Sequence, residues 1–163
     1  MVGPRGGRYA KRPLFVAYLD IKKVFDSVPR TILIRKLYSA GIRGKILRII
    51  MDQYTGVEGV CRIDNLETRK FEIASGVVQG SRLGPILFNV FINDLLSELQ
   101  SSGAGIRLKC NRFISGMAYT DDLALFAETR KELQKLISIC ESWSNKNGIK
   151  FSPKNAKSKF LIK

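Results

Sequence analysis

The 163 residues carry 28 Lys and Arg against 14 Asp and Glu, a net charge of +14, with 45% apolar side chains and no histidine. That length suffices for one domain with a substantial core and hardly for two, and the lack of histidine removes histidine-based catalysis and Cys/His zinc sites. So large a positive excess favours a polyanionic partner, nucleic acid before any other, over a merely solubilising surface. The cysteines Cys61, Cys110 and Cys140 are widely spaced and match no paired metal motif, which fits idle thiols in a reducing compartment. No apolar run approaches the roughly 18 residues of a membrane span. The opening "MVGPRGGRYAKRP" leads into only a short apolar stretch that meets Asp20, which does not read as a secretory signal.

Residues 1–13, rich in Gly and Arg, read as a flexible basic arm, and residues 14–163 as one domain. "LFVAYLD" has the length and composition of a buried strand ending at Asp20. "DSVPRTILIRKLYSAG" predicts a helix that begins with a capping residue, carries a proline near its first turn and stops at Gly41. "GKILRIIMDQYTG" predicts a second helix closed by glycine, and "VEGVCRIDNLETRKFEIASG" a hairpin with Asp64-Asn65 as its turn.

"GPILFNVFINDLLSELQ" follows, with Leu87, Val90, Phe91, Leu95 and Leu99 near helical spacing, as in a helix buried on most faces. "NRFISGMAYTDDLALFAE" gives short apolar runs hinged on an acidic pair, again a hairpin. "TRKELQKLISICESWSNKNG" is the clearest helix: Thr129 and Glu132 form a capping box, Leu133, Leu136, Ile137, Cys140 and Trp143 line one face, and Asn147-Gly148 ends it. "SKFLIK" predicts a last strand. Alternating strands and helices with hairpins predict an α+β fold, helices on one face of a mostly antiparallel sheet.

Asp121 and Asp122 stand side by side in an apolar stretch, where ionised neighbours must be solvated, paired or bound to a cation. Either they are simply the tip of a tight hairpin, where Asp is common, or they hold metal. If the strand ending at Asp20 neighbours this hairpin, three carboxylates can converge at one sheet edge. With two divalent cations such a cluster becomes a phosphoryl-transfer site. Oxygen ligands without His or Cys point to Mg²⁺ or Mn²⁺.

"AYLDIKKVFDSVPR", "GVVQGSRLGPILFNVFINDL" and "YTDDLALF" resemble three successive motifs of the reverse transcriptase palm, most closely that of the non-LTR (LINE-type) retrotransposon group. "LIRKLYSAGIRGKILRIIMDQY" is similar to the segment between the first two. The resemblance runs from Leu14 to nearly the end of the chain. It implies a ferredoxin-like palm and an RNA-directed DNA polymerase that transfers a nucleotide from a dNTP to a primer 3′-hydroxyl on an RNA or DNA template. Asp20 and Asp121 would be the principal ligands of two Mg²⁺ or Mn²⁺ ions, with Asp122 beside them. Phe25 matches the bulky gate that excludes a 2′-hydroxyl. Gln79 and Gly80 match the turn that contacts incoming nucleotide and template, followed by Ser81 and Arg82 at a helix entrance suited to phosphate. Tyr119 would line the primer side. Lys157, or Lys154, would protonate the leaving pyrophosphate.

Three departures qualify the match, one being the late lysine motif, "GIKFSPKNAKSKF", where the distance from Gly148 to Lys157 is longer than the group's pattern. Thr120 stands where Ala is usual, an exchange expected to be tolerated with some change in nucleotide or primer handling. The 19 residues before Asp20 and the end at Lys163 leave little room for fingers or thumb. The alternatives are therefore a truncated or domesticated palm that binds nucleic acid without catalysis, or a fragment completed by a partner chain or a second copy. The resemblance also implies a nuclear, intracellular location.

Overall fold

The computed structural model describes residues 13–78, 80–108, 112–152 and the backbone of 157–161. The expected arm, apart from Pro13, lies outside the described residues, as do Gln79, Cys110 and Lys154. The organising element is β1 (Leu14–Asp20), an apolar run with too little polarity for a surface strand. It is followed by turns, then α1 (Arg30–Ser39) and α2 (Gly44–Tyr54). Residues 57–76 form the expected hairpin as two nested pairs, β2 (Glu58–Gly59) with β5 (Phe71–Glu72) and β3 (Arg62–Ile63) with β4 (Leu66–Glu67), and Asp64 turns at φ 53°. Next come α3 (Gly84–Ser101) and a short pair, β6 (Ile106–Arg107) with β7 (Phe113–Ile114). The chain closes with β8 (Gly116–Tyr119), β9 (Asp122–Ala127), α4 (Arg130–Asn147) and β10 (Lys157–Leu161).

Among the described residues the main sheet has the order β10-β1-β9-β8, and every pairing in it is antiparallel. Side chains alternate across a strand. On β9, Leu123, Leu125 and Ala127 are buried, and their cross-strand partners Leu19 and Ala17 on β1 are buried with them. α4 lies over β9 and β1, while α3 packs on β8 and on both α1 and α4. Phe88, Phe91, Leu95 and Leu99 of α3 are fully buried between these layers. The opposite sheet face, with Tyr18, Met117 and Tyr119, is open. Helices on one face of an antiparallel sheet match the fold class expected.

One boundary differs. The first helix begins at Arg30, four residues after the expected cap Asp26. Asp26 and Ser27 are held instead in a turn, both amides donating to Lys23 O at 2.9 Å, so Pro29 rather than an acidic side chain opens the helix. α4 has the capping box in full, and Gly148 ends it at φ 68°. Of its expected face Leu133, Leu136, Cys140 and Trp143 are buried and Ile137 is half-buried.

The helical layer is tied by one charged knot. Lys36 of α1 donates to Asp94 Oδ1 and to Phe91 O, both at 2.8 Å, and its Nζ lies 4.3 Å from the Phe91 ring centre and 4.7 Å from that of Trp143. Trp143 Nε1 of α4 donates to the same Asp94 oxygen at 3.0 Å. Burial pulls the Lys36 pKa below the ordinary ammonium value, and the Asp94 contact partly restores it. Asp94→Ala strands both a desolvated ammonium and an indole N–H. We expect a loss of about 2 kcal/mol in urea unfolding; an unchanged midpoint would mean the knot carries no stability.

The thiols differ as sharply as their surroundings. Burial pushes Cys140 up to about 12, whereas Cys61 is exposed. Iodoacetamide in mildly alkaline buffer should modify exposed Cys61 in the folded chain and reach buried Cys140 only on unfolding, as read by peptide mass mapping. Equal labelling rates would contradict this packing.

Candidate active site

The two ends of β1 and β9 meet at the acidic residues. Tyr119 is the cross-strand partner of Asp122, so the β8–β9 hairpin closes through a two-residue loop, Thr120-Asp121. The sequence suggests an Asp-Asp turn; the turn is Thr-Asp, and Asp122 already opens the strand. The reason is register: pairing of Tyr119 with Asp122 leaves Thr120 and Asp121 as the loop, and the positive φ that a two-residue loop needs then falls on Thr120, at 50°. A β-branched residue is uncommon there. Thr120 Oγ1 donates to Asp121 Oδ1 at 2.8 Å, which ties that carboxylate to the turn.

Asp122 pairs directly with Asp20 across β1 and β9. Directly opposed Cβ atoms in such a pair lie about 4.5–5.5 Å apart, and like charges so placed repel. The backbone allows no escape. Ser152 N–H donates to Asp20 O at 2.7 Å, Ile21 N–H to Asp121 O at 3.0 Å, and Ile21 bridges Phe151. Asp20 is thus pinned between the hairpin tip and the segment after α4. Its open-face position, with Asp122 and Tyr119, borders a cavity of about 520 Å³ whose other walls include Tyr18 and Met117. Tyr119 is 79% exposed. Tyr18 and Met117 were not singled out from sequence, although the period-two alternation of their strands would have found them.

The other expected residues gather elsewhere. Phe25, Gly80, Ser81 and Arg82 line a second cavity of about 420 Å³, closed by Val78 and Pro85. Phe25 is half-buried, edge-on to Phe88 with ring centres 6.0 Å apart. Gly80 turns at φ 77° with nothing within 4 Å of where a Cβ would sit, so the position selects glycine for its backbone conformation and not for want of space. Ser81 Oγ accepts the Gly84 N–H at 2.9 Å and organises the entrance of α3. Lys157 belongs to β10, in register with Tyr18. Among the described residues no group of three carboxylate or thiol side chains is drawn together closely enough to hold a metal ion. In donor chemistry the three aspartates suit a hard divalent cation. None of the described helices is long and apolar enough to cross a membrane.

The structure thus has a small antiparallel sheet with a carboxylate pair on its open face and, at a separate cavity, a glycine-turned, arginine-bearing loop, residue types suited to phosphoryl chemistry. The family model for reverse transcriptase (RNA-dependent DNA polymerase) matches residues 8–162, and the chain belongs to that family of nucleotidyltransferases. Within it the relatives are Pol polyproteins of the R2 and R1 retrotransposable elements, the non-LTR group that the motifs resemble. The polyprotein of the type-2 element R2DM of Drosophila melanogaster is 35% identical over 127 residues, 77% of this chain. That of the type-1 element R2 of Nasonia vitripennis is 30% identical over 91% of it. The chain spans only 12% and 14% of the length of those two polyproteins. In fold it is similar to the apo telomerase of Candida tropicalis, with a TM-score of 0.72 and 14% identity over 96% of this chain and 32% of that one. The telomerase of Candida albicans in complex with a telomeric RNA fragment gives 0.68, at 14% identity over 90% of this chain and 27% of that one.

The strained turn has a direct test. A left-handed conformation costs a β-branched residue about 1–2 kcal/mol, and Asn tolerates it better. Thr120→Asn should therefore raise stability by about 0.5 kcal/mol in urea titration; a clear loss would mean that the Thr hydroxyl, not the backbone, sustains the turn.

Proposed function

We propose that this chain is the palm of an RNA-directed DNA polymerase, which extends a primer on an RNA or DNA template with deoxynucleotides. The observation that carries the reading is the opposed pair of Asp20 and Asp122 on the open sheet face, in a chain of the reverse transcriptase family. The strand order β10-β1-β9-β8, with α3 and α4 on one face, supports the reading of a ferredoxin-like βαββαβ palm. Asp20, Asp121 and Asp122 would hold two Mg²⁺ or Mn²⁺ ions. When bound, such ions lower the pKa of the attacking primer hydroxyl and neutralise the leaving pyrophosphate.

The chain's own groups do the rest. Phe25 closes the sugar side of the nucleotide cavity and disfavours a 2′-hydroxyl by contact. Gly80 lets the backbone approach the nucleotide, with Gln79 as an amide donor and acceptor beside it, and the Arg82 guanidinium faces the triphosphate. Tyr119 offers a flat apolar ring to the primer terminus. Lys157, or Lys154, delivers a proton to pyrophosphate. A net charge of +14 holds template and primer through their phosphates. A nuclear site of action follows from the same reading. A second reading, nucleic-acid binding without synthesis, alone or in a homo-oligomer or with a partner chain, draws on the net charge of +14, which holds phosphates without any carboxylate.

Primer extension separates the two. At low salt with Mg²⁺ or Mn²⁺, the chain should incorporate dNTPs, and Asp121→Asn should abolish incorporation while leaving duplex affinity within about twofold, since phosphate contacts carry binding. Binding without incorporation in either protein would overturn the polymerase reading in favour of the second.

A further inference from the structure

Arg30 does more than start a helix. Its Nε donates to Gly76 O at 3.0 Å, and its Nη1 donates to Tyr54 O at 2.8 Å and to Ile73 O at 2.5 Å. Its guanidinium carbon also lies 5.3 Å from the Tyr54 ring centre. One planar fork thus grips the last carbonyl of α2, the base of the 57–76 hairpin and the loop that leads to Gly80. The Tyr54 carbonyl is a helix-terminal acceptor with no intrahelical donor, at the negative end of the dipole, where a cation is favoured.

What lies on the far side of Gly76 makes this consequential. Gly76 N–H donates to Val28 O at 2.9 Å, Val77 N–H to Phe25 O at 2.7 Å, and Ser75 Oγ to Asp26 O at 3.0 Å. The two loops touch backbone to backbone: a Cβ on Gly76 would sit 2.8 Å from Phe25 O, and its φ is 90°. These loops also carry residues that line the cavity of about 420 Å³, Phe25 on one and Val78 and Gly80 to Arg82 on the other. The width of that cavity is therefore set by a seam, and Arg30 bolts the seam from behind.

We propose that Arg30 is a positioning residue for the nucleotide cavity, fixing the spacing of Phe25 against Gly80 and Arg82 and so the fit of the nucleoside triphosphate sugar between them. The inference rests on the polymerase reading and goes beyond it, because Arg30 lines neither that cavity nor the carboxylate cavity. Lysine keeps the charge but has no planar fork to span these carbonyls.

The test is Arg30→Lys in the full chain, followed by primer extension and by amide hydrogen exchange. Exchange at Gly76 and Val77 should quicken by about tenfold while the β1–β9 ladder keeps its protection. The KM for dNTP should rise about tenfold with kcat nearly unchanged. Discrimination against ribonucleotides should fall, because a loosened wall admits the 2′-hydroxyl. A lowered melting temperature with KM and sugar discrimination intact would reduce Arg30 to a stabilising role and overturn the proposal, as would unaltered exchange. Should Arg30→Lys fail to fold, Ser75→Ala cuts the same seam at an exposed hydroxyl and must shift discrimination in the same direction; no shift there overturns it as well. Absence of incorporation by the unsubstituted chain would sink the polymerase reading itself, and is visible before any variant enters the comparison.

Discussion

The register between β1 and β9 is the constraint on which the rest depends. Asp20 opposes Asp122, Leu19 opposes Leu123 and Ala17 opposes Leu125. Because side chains alternate, a slip of one residue would turn the leucines outward and the carboxylates into the helical layer. Burying the apolar face thus specifies the position of the acids on the other. The position of the two acids at the open end is thus held by burial elsewhere in the same ladder, and the chain needs no separate device to bring Asp20 and Asp122 opposite each other.

The helical layer answers a different need. Lys36, Asp94 and Trp143 join α1, α3 and α4 through a half-buried charge whose partners are all accounted for. Such a knot adds orientation to what apolar contact alone leaves sliding. It makes the layer behind the sheet a single block, so the open face can carry unfavourable chemistry without the scaffold adjusting to relieve it. The same logic applies at the other cavity, where the seam between loops 25–28 and 75–77 is made of backbone bonds and one guanidinium, not of adaptable apolar packing.

How much of this the sequence reveals depends on the range of the interaction concerned. Elements defined by local chemistry are legible: the α4 capping box and Gly148, the Asp64 turn, and the apolar period of α3 all depend on residues a few positions apart. The helix start at Arg30 is not legible, because Asp26 has the chemistry of a cap in isolation while the Lys23 carbonyl claims its amide and that of Ser27. The Thr-Asp turn is hidden for a related reason. Asp has the higher turn propensity, but strand register, a long-range property, decides which two residues are left unpaired. At the site, the carboxylates and the glycine turn stand out by motif. Tyr18 and Met117 do not, because their role comes only from the face on which the sheet exposes them. Arg30 leaves no signal in sequence at all, since its partners are carbonyls, and every residue has one.

Among the described strands, β1 comes first in the chain. Leu14 pairs with Leu161, and Phe15 with Ala127, so both neighbours of β1 come from the last quarter of the chain. At about 5–20 residues per second of synthesis, β1 waits several seconds or more for either partner, while α1, α2 and α3 find one another first. Contacts of such sequence separation close slowly. During that interval an apolar strand is without its ladder, and the nascent chain presents it to chaperones or to other chains. The opposed aspartates can come into register only once β9 has been made, which means that a shorter nascent chain has charge to attract nucleic acid before it has the geometry to act on it.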